Sequence, residues 1–116
     1  MTIFALSSGN GISGVAVIRI SGPETKNILK MLTKSELPEP RKATLLKMNN
    51  INTSELIDEG IILWFPGPNS YTGEDMAEFH VHGSLAVIHA IQSSISQIDD
   101  CRLAEPGEFT KIAFQN

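Results

Sequence analysis

The chain has 116 residues, of which 41% are hydrophobic and 19% charged, and its net charge is −4. This length predicts one domain with a single core, and the acidic balance disfavours a nucleic-acid surface, which needs Lys and Arg to neutralise phosphates. No apolar run approaches the roughly twenty residues of a membrane span and no signal peptide is evident, so we expect a cytoplasmic protein with no membrane contact. The single cysteine, Cys101, excludes an internal disulfide and a multi-thiolate metal site.

The first third of the chain predicts two strands and a helix. Thr2 to Leu6 is short and apolar, Ser7 to Gly14 is a glycine-containing loop, and Val15 to Ser21 is a β-branched strand. The loop lacks the G-x-x-x-x-G-K-[ST] pattern, so it predicts no nucleotide-phosphate site. Pro23 stands where a helix can begin. The apolar face of that helix consists of Ile28, Leu29 and Leu32.

The middle of the chain predicts a hairpin and a further strand. Ala43 to Met48 and Gly60 to Phe65 are strand-like and are joined across a polar segment, which indicates a hairpin with a long tip. Proline and glycine residues between positions 66 and 73 predict a turn, after which Met76 to His82 is another strand.

The last third predicts two helices separated by a short segment. Ser84 can cap a helix whose apolar residues recur at three- and four-residue intervals. That stripe is either core or the seam of a dimer, because periodicity does not separate the two. The stripe consists of Leu85, Ile88, Ile91, Ile95 and Ile98. The final helix is indicated by the spacing of Phe109, Ile112 and Ala113.

Two histidines and a carboxylate share one face of the strand from Met76 to His82. Side chains alternate along a strand, so Glu78, His80 and His82 point the same way, about 6.5 to 7 Å apart. Such a set can bind iron or zinc, but three ligands in a row suit a single ion poorly. The alternatives are a solvated face or a ligand site, in which the carboxylate would suit a heterocycle with two adjacent N–H groups, such as a 2-amino-4-oxo pterin.

Arg19 is the other unusual charge, because it lies inside the apolar strand Val15 to Ser21. An Arg in that position either extends its guanidinium to solvent or meets an anion, for example the carboxylate tail of a ligand.

Three stretches together resemble one known family. AVIRISGP (16–23), LWFPGPNSYTGEDMAEFHVHG (63–83) and RLAEPGEFTKIAFQN (102–116) are similar to the N-terminal domain of the tRNA uridine-modification GTPases called MnmE or TrmE. The resemblance runs from Thr2 to Asn116, so residues 1–116 are interpreted as one N-terminal domain. It implies an α+β fold, a mixed β-sheet with two to three helices, like the folate-binding domains of aminomethyltransferases and dimethylglycine oxidase.

The resemblance also implies a function. The family's domain binds a tetrahydrofolate derivative, of the 5-formyl or 5,10-methylene type, and forms a homodimer. With the flavin-dependent partner MnmG, the whole protein adds an aminomethyl-type group to the wobble uridine of tRNA. A helical domain and an inserted GTPase domain, which uses GTP, Mg²⁺ and K⁺, are not among the matching residues. This chain alone is therefore expected to have no GTPase activity and no catalytic residue.

Carried over by motif, the folate-binding residues are Arg19 of IRISG and Glu78 after TGED. His80, His82 and Tyr71 are possible pocket-lining residues, and no metal ligand is assigned. A further contact in the family, a Lys, would follow the position of Asn116. The family pattern is altered at a few places, including Ile12 and Ile112, each in place of a basic residue. Two alternatives stay open: a dimerisation scaffold without folate binding, and a metal-binding enzyme domain using Glu78, His80 and His82.

Overall fold

The computed structural model describes residues 1–7 and 14–116. Residues 8–13 of the expected loop from Ser7 to Gly14, including Ile12, lie outside the described residues. Helices are α1 (Thr25–Thr33), α2 (Leu85–Ser96) and α3 (Glu108–Gln115). Strands are β1 (Thr2–Leu6), β2 (Val15–Ser21), β3 (Thr44–Asn49), β4 (Leu56–Phe65), β5 (Met76–His82) and β6 (Cys101–Leu103).

The strands form one mixed sheet in the order β3-β4-β5-β2-β1-β6. Neighbouring strands are antiparallel except for β1 and β6, which are parallel. The predicted α+β class, with a mixed sheet and two to three helices, is therefore confirmed. The parallel pair needs a long connection, and α2 lies within it, between β5 and β6.

Helices α1 and α2 supply the core on one face of the sheet. The predicted apolar face of α1 is buried, and so are Ile91, Ile95 and Ile98 from the α2 segment. They pack with the sheet residues that point to the same side, including Ile18, which lies opposite Phe79. The α2 stripe is therefore core, and the idea that it forms a dimer seam is wrong for these three isoleucines. At the start of α2, Leu85 is 84% exposed and lies outside this core.

The opposite face of the sheet, called here the open face, is covered less. It carries Arg19 and Glu78 together with half-buried apolar residues such as Ile61 and Leu63. Helix α3 lies over part of this face, where the ring centroid of Phe109 is 5.9 Å from Arg19 Cζ. None of the helices within residues 1–7 and 14–116 is long and apolar enough to cross a membrane.

The β3–β4 hairpin is present, but its second strand is longer than predicted. The strand begins at Leu56 rather than Gly60, and the pairing continues to Asn49 through an irregularity after Met48. Acidic residues at the start of β4 hid this extension, because they break the apolar pattern typical of a strand. Gly60 lies where β4 passes close to β5, since a Cβ there would overlap the carbonyl oxygen of His80.

Candidate functional site

Arg19 and Glu78 come from different strands and meet on the open face. They lie directly opposite each other in the β2–β5 ladder, where Cβ atoms are about 4.5 to 5.5 Å apart. Arg19 Nη2 lies 3.4 Å from Glu78 Oε2, and the two side chains are 33% and 21% exposed. The pair is thus partly shielded from water yet reachable from solvent, which is the environment in which a ligand's polar edge is recognised.

His80 contacts the other oxygen of Glu78. Its Nε2 lies 3.1 Å from Glu78 Oε1, as expected for neighbours on one face of a strand. Each carboxylate oxygen has two acceptor positions, so the Arg19 and His80 contacts leave further positions on Glu78 for a ligand. His80 therefore orients Glu78 without filling its acceptor capacity.

His82 belongs to a separate pair. Its backbone N–H donates to Asp58 Oδ2 at 2.8 Å, and its Nδ1 lies 2.8 Å from Asp58 Oδ1. Burial alone would raise the pKa of Asp58, but these hydrogen bonds outweigh it and lower that pKa. The His82 side chain is 75% exposed and contacts Asp58 near the start of β4. It is therefore not part of the contact between Glu78 and His80. Sequence reasoning missed Asp58, whose only signal was a charge before an apolar run.

The geometry also bears on the metal alternative. Among residues 1–7 and 14–116, no three His, Cys, Asp or Glu side chains are placed to hold a metal ion. Glu78 and His80 contact each other, whereas His82 is engaged by Asp58.

Two aromatic rings flank the Arg19 guanidinium. Its Cζ lies 5.9 Å from the ring centroid of Tyr71 and 5.9 Å from that of Phe109, within the range of cation–π attraction. Tyr71 follows β4 in the loop before β5, and Phe109 comes from the first turn of α3. The sequence places Phe109 on the apolar side of a helix but does not predict its approach to Arg19, because residue spacing does not show which strand a helix covers.

Two cavities adjoin these rings. The smaller, of about 90 Å³, is lined by Arg19, Glu78, Tyr71, Phe65 and Met76. The larger, of about 350 Å³, is lined by Phe109 and by Ala5, the residue opposite Arg19 on β1, among others. A small-molecule site commonly measures about 300 to 1,000 Å³, so the smaller cavity suits one edge of a heterocycle and the larger has room for more of a ligand.

The remaining acidic residues of the TGED turn have structural partners. Ser21 Oγ lies 2.8 Å from Thr72 Oγ1 and also donates to Glu74 Oε1 at 3.4 Å. Asp75 Oδ1 accepts the backbone N–H of Gly67 at 2.9 Å. These contacts fix the loop that presents Tyr71, so Glu74 and Asp75 support the site from outside it.

Comparison of the sequence with known proteins identifies the family of this chain and several relatives. Residues 2–116 match the family model described as the GTP-binding protein TrmE N-terminus. The chain is 72% identical over its full length to "tRNA modification GTPase MnmE" of Pelagibacter ubique (strain HTCC1062), covering 26% of that protein. It is 52% identical over 99% of its length to the protein of the same name from Brucella canis, again covering 26%. Over 97% of its length it is 50% identical to "5-taurinomethyluridine-[tRNA] synthase subunit GTPB3, mitochondrial" of Danio rerio, covering 22%. The chain thus spans about a quarter of the length of these relatives.

Proposed function

The chain belongs to the TrmE N-terminal family, and from this premise we propose that it is the tetrahydrofolate-binding, homodimerising module of a tRNA-modification GTPase. The observation that carries the proposal is the Arg19–Glu78 pair, opposed across two strands in a half-buried site between two aromatic rings. Its relatives' names describe tRNA modification, and that activity is proposed here for the whole protein.

Glu78 is proposed to anchor the reduced pterin ring. A 2-amino-4-oxo pterin offers two adjacent N–H donors, and a carboxylate accepts such a pair with directional, charge-assisted hydrogen bonds. His80 supports this role because its contact at 3.1 Å holds the carboxylate in one orientation. The limited exposure of Glu78 strengthens each bond, because less water competes for its oxygens.

Arg19 is proposed to bind the oxo group that adjoins those donors. Its Nη2 lies beside Glu78 Oε2, so the two side chains present donors and acceptors next to each other. On the pterin edge, the N–H donors face the Glu78 acceptors and the neighbouring oxo acceptor faces the Arg19 donor. A tetrahydrofolate of the 5-formyl or 5,10-methylene type, when bound, would supply one-carbon chemistry for the uridine of tRNA.

The partners of the module follow from its charge and from the family. With a net charge of −4, this chain offers few cations for phosphates, so we propose that tRNA is held by the rest of the complex, including the flavoprotein MnmG. GTP, Mg²⁺ and K⁺ are assigned to the GTPase domain of the family.

Homodimerisation is proposed through the open face rather than through α2. The α2 stripe is used inside the protomer, whereas Leu45 and Val15 on the open face are 60% and 55% exposed. Half-buried Ile61 lies opposite Leu45 and extends this apolar area. A second copy of the chain could cover it by the same surface on both protomers, as a two-fold dimer requires.

Titration with 5-formyltetrahydrofolate tests the proposed binding. We expect the parent chain to bind in isothermal titration calorimetry and Glu78→Gln to bind at least about tenfold more weakly, roughly 1.4 kcal/mol, because the amide loses the charge and one acceptor position. Glu59→Gln, which removes an exposed carboxylate on the neighbouring strand, is the control and should bind as the parent does. A parent chain that forms dimers but binds no reduced folate would instead indicate a dimerisation scaffold.

A further inference from the structure

Phe109 and Tyr71 enclose the guanidinium of Arg19 from two different segments. Each ring centroid lies 5.9 Å from Arg19 Cζ. We propose that Phe109 is a positioning residue, which with Tyr71 holds Arg19 beside Glu78, so that the ligand site is complete only while α3 is docked on the sheet. This inference rests on the proposed function for its ligand, whereas the positioning itself concerns the chain alone.

Arg19 needs such support because its polar contacts are weak. Its one hydrogen bond to Glu78, at 3.4 Å, is longer than the usual 2.7 to 2.9 Å of charge-assisted bonds. Its Nε is buried and has no hydrogen-bond partner within the described part of the chain. An Arg side chain has many rotamers, and a single long hydrogen bond does not select among them. The two rings, each with its centroid 5.9 Å from Cζ, limit where the guanidinium can lie.

Polar contacts hold both ends of helix α3 in place, which fixes the position of Phe109. At its start, Arg102 Nη1 donates to Glu108 Oε1 at 2.8 Å and Nη2 contacts Oε2, so the pair is bidentate. Glu108 Oε1 also accepts the backbone N–H of Glu105 at 2.9 Å. The Arg102 contact comes from β6, at the edge of the sheet. Phe109 directly follows Glu108, so this ion pair sets where its ring lies.

A second set of hydrogen bonds joins α3 to the loop that carries Tyr71. Tyr71 Oη donates to Thr110 Oγ1 at 3.2 Å, and Asn116 Nδ2 donates to the carbonyl of Thr72 at 2.7 Å. Both rings are therefore held in one connected unit. Loss of the Arg102–Glu108 pair, which does not line the cavity of Arg19 and Glu78, should weaken ligand binding indirectly.

The test compares variants on one helix. Phe109→Ala should weaken binding of 5-formyltetrahydrofolate at least about tenfold, Phe109→Tyr should stay within about threefold because it keeps a ring, and Arg102→Gln should fall between them. Phe114→Ala is the matched control, since Phe114 lies on the same helix but is 88% exposed. It should bind as the parent does.

A second readout reports Arg19 without any ligand. ¹⁵N relaxation of the Arg19 Nε–H reports how mobile this side chain is in the ligand-free chain, so Phe109→Ala should lower its order parameter and Phe114→Ala should not. If the parent binds folate and Phe109→Ala binds equally well, the positioning role is wrong. If the parent binds no folate, the proposed function fails, and the ligand-free order parameter decides the positioning role: an unchanged value overturns it and a lower value supports it.

Discussion

The imidazole Nδ1 of His82 lies 2.8 Å from Oδ1 of Asp58, and Oδ2 of the same carboxylate accepts the backbone N–H of His82. The backbone ladder between β4 and β5 ends at Ile61 and His80. The carboxylate therefore joins the two strands beyond their last paired residues, in place of a further backbone contact.

Asp58→Asn should lower the free energy of unfolding by about 1 kcal/mol at neutral pH, a modest value because solvent screens the pair. The pKa of Asp58 is lower in the folded chain than its usual 3.8. Its stabilisation is therefore present above about pH 3.8 and is lost as the pH falls below that value. Urea denaturation at pH 7 and pH 2 measures this, with Glu59→Gln as the control. An equal difference between parent and Asp58→Asn at both pH values would contradict the ionic explanation.

Arg102→Gln should raise the pKa of Glu108. The Arg102 hydrogen bond, with a backbone N–H bond from Glu105, lowers the pKa of this carboxyl to about 2 from its usual 4.5. A depressed pKa stabilises the fold above about pH 4.5, and the effect is lost as the pH falls towards 2. NMR titration of the Glu108 side-chain carbon should show the midpoint move up towards 4.5 in the variant. A midpoint that stays near 2 would mean that the hydrogen bond from the Glu105 N–H is enough to keep the pKa of Glu108 low without Arg102.

Ile95→Ala should destabilise the protomer by about 2 to 5 kcal/mol, because the residue is fully buried and the substitution leaves a cavity. Leu85→Ala, on the same helix but 84% exposed, should change stability by less than about 0.5 kcal/mol. Thermal unfolding measures both variants. Sedimentation of Leu85→Ala should match the parent, and a loss of dimer in that variant would return the seam to the start of α2.

Local pattern predicted most elements because it reflects burial on a single face. The strands Val15–Ser21 and Met76–His82 have the predicted bounds, since both lie in the centre of the sheet with one face in the core. The strand beginning at Leu56 did not show its full length, because Asp58 and Glu59 interrupt its apolar pattern near the start. The parallel pairing of β6 with β1 also escaped prediction, since three residues carry no periodic signal.

The site residues likewise differ in whether local pattern or long-range packing places them. Alternation along β5 put Glu78 and His80 on one face, and the Arg within an apolar strand marked Arg19. That these residues meet depends on the non-local β2–β5 register, which no local spacing encodes. The approach of Phe109 depends on where α3 docks, and Asp58 on where β4 begins, so both were missed.

Arg19→Ala should weaken a tail-free ligand as much as a complete folate. Sequence alone left open whether Arg19 meets solvent or an anionic tail, but its Nη2 lies 3.4 Å from Glu78 Oε2, at the end of the site proposed for the ring. We therefore expect at least about a tenfold loss of affinity, roughly 1.4 kcal/mol, for 6-methyltetrahydropterin and for a triglutamylated reduced folate alike. Calorimetric titration of both ligands measures this, and Lys47→Ala, which removes an exposed cation from β3, is the control. A loss confined to the triglutamylated ligand would show that the guanidinium reads the tail, and Glu78 would then be the sole charged contact to the ring.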